Sequence, residues 1–264
     1  TRDKKVKVWR DKFTEIIYID EYKISNSYTD GNYRKENLAF SNIEFYPHFE
    51  RHSDTERRFS FLSKFIFNKN LLDFGCGNGL LLERIPDTFT KFGLDISEKI
   101  LENAIRQNPE VTFSNSINKF KKNYFDIIIL SEVLEHFQNP INELKIIKEY
   151  LNEDGLLVIT VPNGDRFNLG KILKFDNKFQ PINDILYTWS ELSLMLKLLS
   201  FRPIYFNSFG GYLFKDKKLN KILNKLYKIF DFLLSKTGLF YLNQKNLIVI
   251  CNIDKNIKFS LSNS

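Results

Sequence analysis

Between Asn70 and Val161 short, continuously apolar runs alternate with stretches whose apolar residues recur at helical spacing. Strands that are apolar throughout are buried on both faces, and strands that alternate with helices pair in parallel. Leu71–Phe74, Phe92–Ile96, Val111–Phe113, Phe125–Leu130 and Leu156–Val161 read as five such strands. Helices are predicted over Asn78–Ile85, stopping before Pro86, and from Ser97 as cap through Gln107. A third opens at Asn139-Pro140 and runs to Leu151, with Ile141, Leu144, Ile147 and Leu151 on one face. The fold class that follows is α/β: a doubly wound, Rossmann-like sheet with helices on both faces. A helix over Ser190–Leu199 and strands over Arg202–Phe206 and Asn246–Ile250 extend it, and a helix over Thr55–Phe67 precedes it.

The 264 residues suit one large domain, and 43% hydrophobic with 27% charged residues excludes a wholly disordered chain. No apolar stretch approaches the length of a membrane span. The charged start, Thr1-Arg-Asp-Lys-Lys5, has no apolar run behind it, and Cys76 and Cys251 are too few for a disulfide framework. A cytoplasmic location is the expectation. Residues 215–264 hold ten lysines and three aspartates, a surplus of seven that equals the whole net charge of +7. A protein that tracks a phosphate backbone spreads basic charge along its groove, so nucleic acid is disfavoured as a partner.

The chemistry-bearing text begins at Leu72-Asp-Phe-Gly-Cys-Gly-Asn-Gly79, where the first core strand ends. Glycines there let the backbone turn sharply and approach a ligand with no Cβ in the way. In an open α/β sheet that place is the crevice beyond the carboxyl ends of the strands. A dinucleotide site asks for G-x-G-x-x-G, but the third glycine would fall at Leu80. A plain strand-to-helix turn is the simpler alternative. Asp95 ends the second strand, where a carboxylate can accept both hydroxyls of a ribose; its plainer reading is a helix-capping acid.

The spacing Gly75-x-Gly77-x-Gly79, with Asp73 before it, resembles the first motif of class I S-adenosylmethionine-dependent methyltransferases. Phe125-Asp-Ile-Ile-Ile-Leu-Ser-Glu-Val-Leu-Glu-His-Phe-Gln-Asn-Pro140 resembles the subgroup that includes ubiquinone-biosynthesis O-methyltransferases and many small-molecule and sugar methyltransferases. Tyr150–Asn163 and Tyr187–Leu192 complete the likeness, which covers roughly residues 55–206 and the last strand. It implies a seven-stranded sheet, mostly parallel with an antiparallel last strand, over residues 55–264. Residues 1–54 would form a covering segment on the substrate side.

The resemblance implies S-adenosylmethionine as cofactor and S-adenosylhomocysteine as product. Asp73, Gly75, Cys76, Gly77 and Gly79 would form the cofactor loop, Asp95 would hold the ribose, and Ile96 would pack on the adenine. Relatives often carry an acid after the third strand, whereas this chain offers Asn115 or Ser116; Ser131 would lie beside the cofactor. Glu132, Glu135 and His136 are the catalytic candidates, with His136 the best base for a hydroxyl acceptor because imidazole titrates near neutrality. A structural histidine and a metal-ligating Glu132, Glu135 and His136 are the competing readings, and no metal is assigned. His48 and His52 precede the core, where relatives cover the site.

The expected reaction is O-methylation of a small molecule, surface glycan or sugar nucleotide. N-methylation of an amino sugar and a silent, methyltransferase-like binding partner are the alternatives. A basic helical insertion is expected at about 207–245. Its apolar face carries Leu219, Ile222, Leu223, Leu226, Phe230 and Leu233, and five lysines (Lys217, Lys218, Lys221, Lys225 and Lys228) populate the rest. It reads as a covering or subunit-contact helix, as a peripheral membrane contact, or as a clamp on an acidic substrate.

Overall fold

The structure, a computed structural model, describes residues 8–10, 17–19, 59, 63, 70–165, 185–209 and 246–255. Two short strands, β1 (Val8–Arg10) and β2 (Ile17–Ile19), form an antiparallel pair. The main sheet has seven strands: β3 (Asn70–Phe74), β4 (Thr90–Leu94), β5 (Thr112–Ser114), β6 (Phe125–Ser131), β7 (Leu151–Pro162), β8 (Phe201–Phe209) and β9 (Asn246–Ile253). Their spatial order is β5-β4-β3-β6-β7-β9-β8. Strands β3 to β7 pair in parallel, and β9 runs antiparallel to both β7 and β8. The expected sheet is therefore present, with its antiparallel last strand.

Neighbouring residues of the central strands enter opposite cores, as the two-residue repeat of a strand requires. Leu72, Ile128 and Leu130 join one hydrophobic cluster, while Leu71, Ile127 and Ile129 join the other. Truncating any one of these to alanine costs about 2–5 kcal/mol, because the sheet is packed on both sides. Helix α1 (Glu98–Gln107) buries Leu101 and Ala104, and α2 (Pro140–Tyr150) buries Leu144 and Ile147. Helix α3 (Trp189–Leu198) starts with a capping box, in which Thr188 and Glu191 bond reciprocally to each other's amides.

Three local expectations are corrected. Residues 78–85 form only a short 3-10 turn, Leu82–Arg84, because Gly77 and Gly79 hold left-handed φ values of 54° and 77° where a helix would have to begin. Ser97 occupies the cap position of α1, but its side chain makes no cap bond; its amide instead donates to Asp95 Oδ1 at 3.0 Å. β7 starts five residues early, at Leu151, since a bulge opposite Phe125 and Ile127 lets Asn152 Nδ2 reach Asp126 Oδ1 at 2.7 Å. Of the helix expected over 55–67, Phe59 and Ser63 are described, and Ser63 N donates to Phe59 O at 2.8 Å. The rest of it, His48, His52 and the basic segment of 207–245 other than residues 207–209 lie outside the described residues.

No helix among the described residues is long and apolar enough to cross a membrane.

Candidate active site

The chain lays β4 and β5 to one side of β3, then returns to lay β6 and β7 on the other. The crevice between β3 and β6 is thus the topological switch point, where open α/β sheets bind ligands. Register levels the strand ends: Phe74 lies opposite both Leu94 and Leu130, and Ser131 opposite Thr160. Gly75, Asp95, Ser131 and Glu132 consequently share one edge of the sheet.

Gly75, Gly77 and Gly79 all have φ between 54° and 78°, a region that side chains oppose. The loop is pinned by Gly75 N and Cys76 N, which both donate to Leu94 O, at 2.6 and 2.9 Å. A Cβ on Gly75 would collide with Val133, and one on Gly79 would lie 2.8 Å from Asn108 Nδ2. The loop therefore packs directly against the segment after β6. Gly93 is needed for a related reason, since a Cβ there would lie 2.5 Å from Phe113 and 2.9 Å from Cys76 Sγ.

Asp73 is buried beneath this loop. Cys76 is buried too; burial first, then the Asp73 and Asp95 carboxylates, push its thiol far up, so it is a neutral packing group. Asp95 accepts from Gly77 N at 2.9 Å and from Ser97 N at 3.0 Å, one bond to each carboxylate oxygen. Beside it Ile96 is 50% exposed, a large apolar side chain at the mouth of the crevice. Asn115 donates to Glu98 Oε1 at 2.8 Å and accepts from Lys119 Nζ at 2.9 Å, while Ser116 N is held by Ser114 Oγ at 3.1 Å.

The catalytic candidates separate into two groups. Glu132 follows β6 and accepts at Oε1 from Thr160 Oγ1 at 2.9 Å and Asn246 Nδ2 at 3.2 Å. Ser131 Oγ lies 3.4 Å from the same Thr160 hydroxyl. Glu135 and His136 sit in the 3-10 turn Leu134–His136 that follows. Glu135 is only 2% exposed, and its backbone carbonyl accepts from Ile185 N at 2.9 Å. Its carboxylate reaches His136 Nε2 at 4.0 Å. Burial, then the Glu135 charge, push the phenol of the fully buried Tyr187 up. His136 is the more open of this pair, with 21% of its side chain exposed. Among the described residues no three His, Cys, Asp or Glu side chains converge on a metal position.

Thr160 and Asn246 escaped the sequence reading. Thr160 left a trace, as the one polar residue in the apolar run Leu156–Val161.

The methyltransferase domain family matches residues 46–202, more than half of the sequence. The chain belongs to this family. Among curated members, the ubiquinone biosynthesis O-methyltransferase of Glaesserella parasuis is 36% identical over 112 residues, covering 37% of this chain and 47% of that protein. An uncharacterized protein of Methanocaldococcus jannaschii is 33% identical over 106 residues, covering 39% and 46%. The methyltransferase chain thus spans about half the length of the curated relatives it matches. A SAM-dependent methyltransferase of Archaeoglobus fulgidus shares the fold at a TM-score of 0.54 and 16% identity, over 76% of this chain and 93% of that one. Magnesium protoporphyrin IX methyltransferase from Synechocystis, solved with bound SAH, does so at 0.57 and 13%, over 88% and 98%.

Proposed function

We propose that the protein transfers a methyl group from S-adenosylmethionine to an oxygen of a small-molecule, surface-glycan or sugar-nucleotide acceptor in the cytoplasm. The observation that carries this reading is the glycine loop at the switch point: three left-handed glycines, closed by Asp95, in a chain of the methyltransferase family. The residues fit an adenosyl group. The Asp95 carboxylate has acceptor positions beyond the two amides it already binds, and the exposed Ile96 offers an apolar face for a flat ring.

When bound, the cofactor supplies an electrophilic methyl group on a sulfonium. The protein's own residues then have three tasks: alignment, exclusion of water and removal of the acceptor's proton. Asp73, Gly75, Cys76, Gly77 and Gly79 would shape the loop, Asp95 would hold the ribose, and Asn115, Ser116 and Ser131 would supply polar contacts around the base and the tail. His136 would take the proton of a hydroxyl acceptor, with Glu135 beside it and Glu132 at the end of β6. Residues 1–54 would cover the acceptor side, and the basic insertion would contact a neighbouring subunit or a membrane surface.

Calorimetry with S-adenosylhomocysteine tests the cofactor half, and no binding at millimolar ligand would leave a silent partner as the reading. Labelled cofactor supplied with fractionated cell-envelope precursors tests the acceptor half. Label in a phenolic or quinone fraction in place of a glycan fraction would move the substrate class to that of the curated relatives.

A further inference from the structure

The turn that carries Glu135 and His136 is bracketed by two apolar residues, Val133 before it and Phe137 after it. Hydrogen bonds make both brackets part of the turn: His136 N donates to Val133 O at 2.9 Å, and Phe137 N to Leu134 O at 3.3 Å. Both side chains are half-buried, and both rest on the end of β3. Val133 Cγ2 fills the place where a Cβ on Gly75 would stand. The Phe137 ring meets Phe74 edge to face, with centroids 5.7 Å apart and planes at 83°. Phe74 and Gly75 are consecutive, so the first bend of the glycine loop touches the turn at both of its ends.

The other side of the turn is fixed as well. Leu134 is fully buried, Glu135 O accepts from Ile185 N at 2.9 Å, and Leu134 O accepts from the Tyr187 hydroxyl at 3.4 Å. The turn is thus held between the glycine loop and residues 185–187. The loop is itself tied to β4, through Gly75 N and Cys76 N on Leu94 O, and to Asp95 through Gly77 N. Close-packed side chains have no slack and pass a displacement on to their neighbours. A ligand that reshapes the loop therefore moves the turn, and with it the partly open imidazole of His136.

We propose that Val133 and Phe137 are positioning residues that seat this turn on the glycine loop, so that filling the adenosyl site sets the stance of the His136 imidazole. The base is then aligned on the acceptor when the methyl donor is in place, and less well aligned without it. A misplacement of about 1 Å at a reacting group costs on the order of 10²-fold in rate, so two packing contacts away from the chemistry suffice to matter. The proposal rests on the methyltransferase reading, and the test separates the two.

Calorimetry with S-adenosylhomocysteine comes first: no binding by the wild type removes that reading and the positioning role with it. The second readout is the ring-proton NMR signal of His136 at fixed pH, identified among the chain's three histidines by its absence from His136→Gln. Saturating S-adenosylhomocysteine shifts this signal in the wild type. In Val133→Ala and Phe137→Leu, each shown by calorimetry to be saturated, the shift collapses. Val133→Ile keeps the Cγ2 contact and Phe137→Tyr keeps the ring, and both retain the shift. Melting curves show which variants fold; either altered variant decides alone, and Phe74→Leu, which removes the ring contact from the loop side, stands in for one that does not. A ligand that touches His136 directly would move the signal in every variant alike, and that result overturns the positioning role. So does an unmoved signal in the saturated wild type, a collapse in the two conserving variants as well, or loss of S-adenosylhomocysteine binding by the altered variants that fold.

Discussion

The amide of Gly77 donates to Asp95 Oδ2 at 2.9 Å, across the gap between the first two core strands. One carboxylate therefore closes the glycine loop and, through Oδ1, holds the first turn of α1 at Ser97. Loop shape and the proposed ribose contact are joined in a single side chain.

Asp95→Ala should weaken S-adenosylhomocysteine binding by about 1–3 kcal/mol, the usual loss when hydrogen bonds to a charged group vanish. Asp95→Asn should fall almost as far, because its Nδ2 would face an amide proton and leave one of the two backbone donors unpaired. Titration calorimetry of both variants checks this. Wild-type affinity in the asparagine variant would show that the two-sided closure does not matter.

Gly75 meets two constraints, its φ of 78° and the Val133 side chain that fills the space above it. Gly75→Ala should cost about 1–2 kcal/mol from backbone conformation alone, with the collision in addition. Val133→Ala in the same chain should recover the collision part and leave the backbone part, a coupling that a double-mutant cycle in urea measures. Simple additivity of the two substitutions would remove the packing account of the loop.

The strands were legible because they are predominantly apolar, broken only by single polar residues such as Asp73, Asp95 and Thr160, and the sheet's closing pair because Arg202–Phe206 and Asn246–Ile250 are apolar after their first residue. The helix expected over 78–85 failed on a property that residue names carry only weakly: glycine permits a left-handed φ, and Gly77 and Gly79 take it. Asp95 was legible as a carboxylate at a strand end, but its bonds to Gly77 N and Ser97 N depend on how far the loop folds back. Thr160 and Asn246 lie 28 and 114 residues from Glu132 in sequence, and only the order of β6, β7 and β9 brings them together. The family resemblance groups Glu132, Glu135 and His136 in one motif, yet the left-handed Glu132 turns its carboxylate toward β7 and β9 while Glu135 is buried beside Tyr187.

His136→Ala, assayed with the acceptor that label transfer identifies, should lower turnover by roughly 10²–10⁴-fold if the imidazole takes the acceptor's proton. Cofactor affinity should hold, since no described bond joins His136 to the glycine loop. A drop in S-adenosylhomocysteine affinity at normal turnover would make His136 a support for the Leu134–His136 turn.

Asp165 links the end of β7 to α3, accepting from Trp189 N at 2.7 Å, while the Trp189 ring stacks on Phe206 with centroids 3.8 Å apart. Burial holds its carboxyl above the ordinary aspartate range; the Trp189 N–H bond partly opposes this, and the Glu191 charge adds to it. A carboxyl raised by folding binds its proton more tightly in the folded than in the unfolded chain. The stabilisation it contributes is present below the unfolded value and is lost as pH rises through the window up to the folded value. Above that window the protein carries the cost of a partly buried charge. Asp165→Asn keeps an oxygen for the Trp189 amide and removes the titration. It should therefore be more stable than the wild type at pH 7, with the advantage shrinking as pH falls through the window just above ordinary aspartate values. Thermal unfolding followed by tryptophan fluorescence between pH 4 and pH 7, values set about the ordinary carboxylate range, reads the difference. Parallel stability curves for the two proteins would mean that the Asp165 carboxyl is solvated in the folded state and that its bond to Trp189 N contributes no pH dependence.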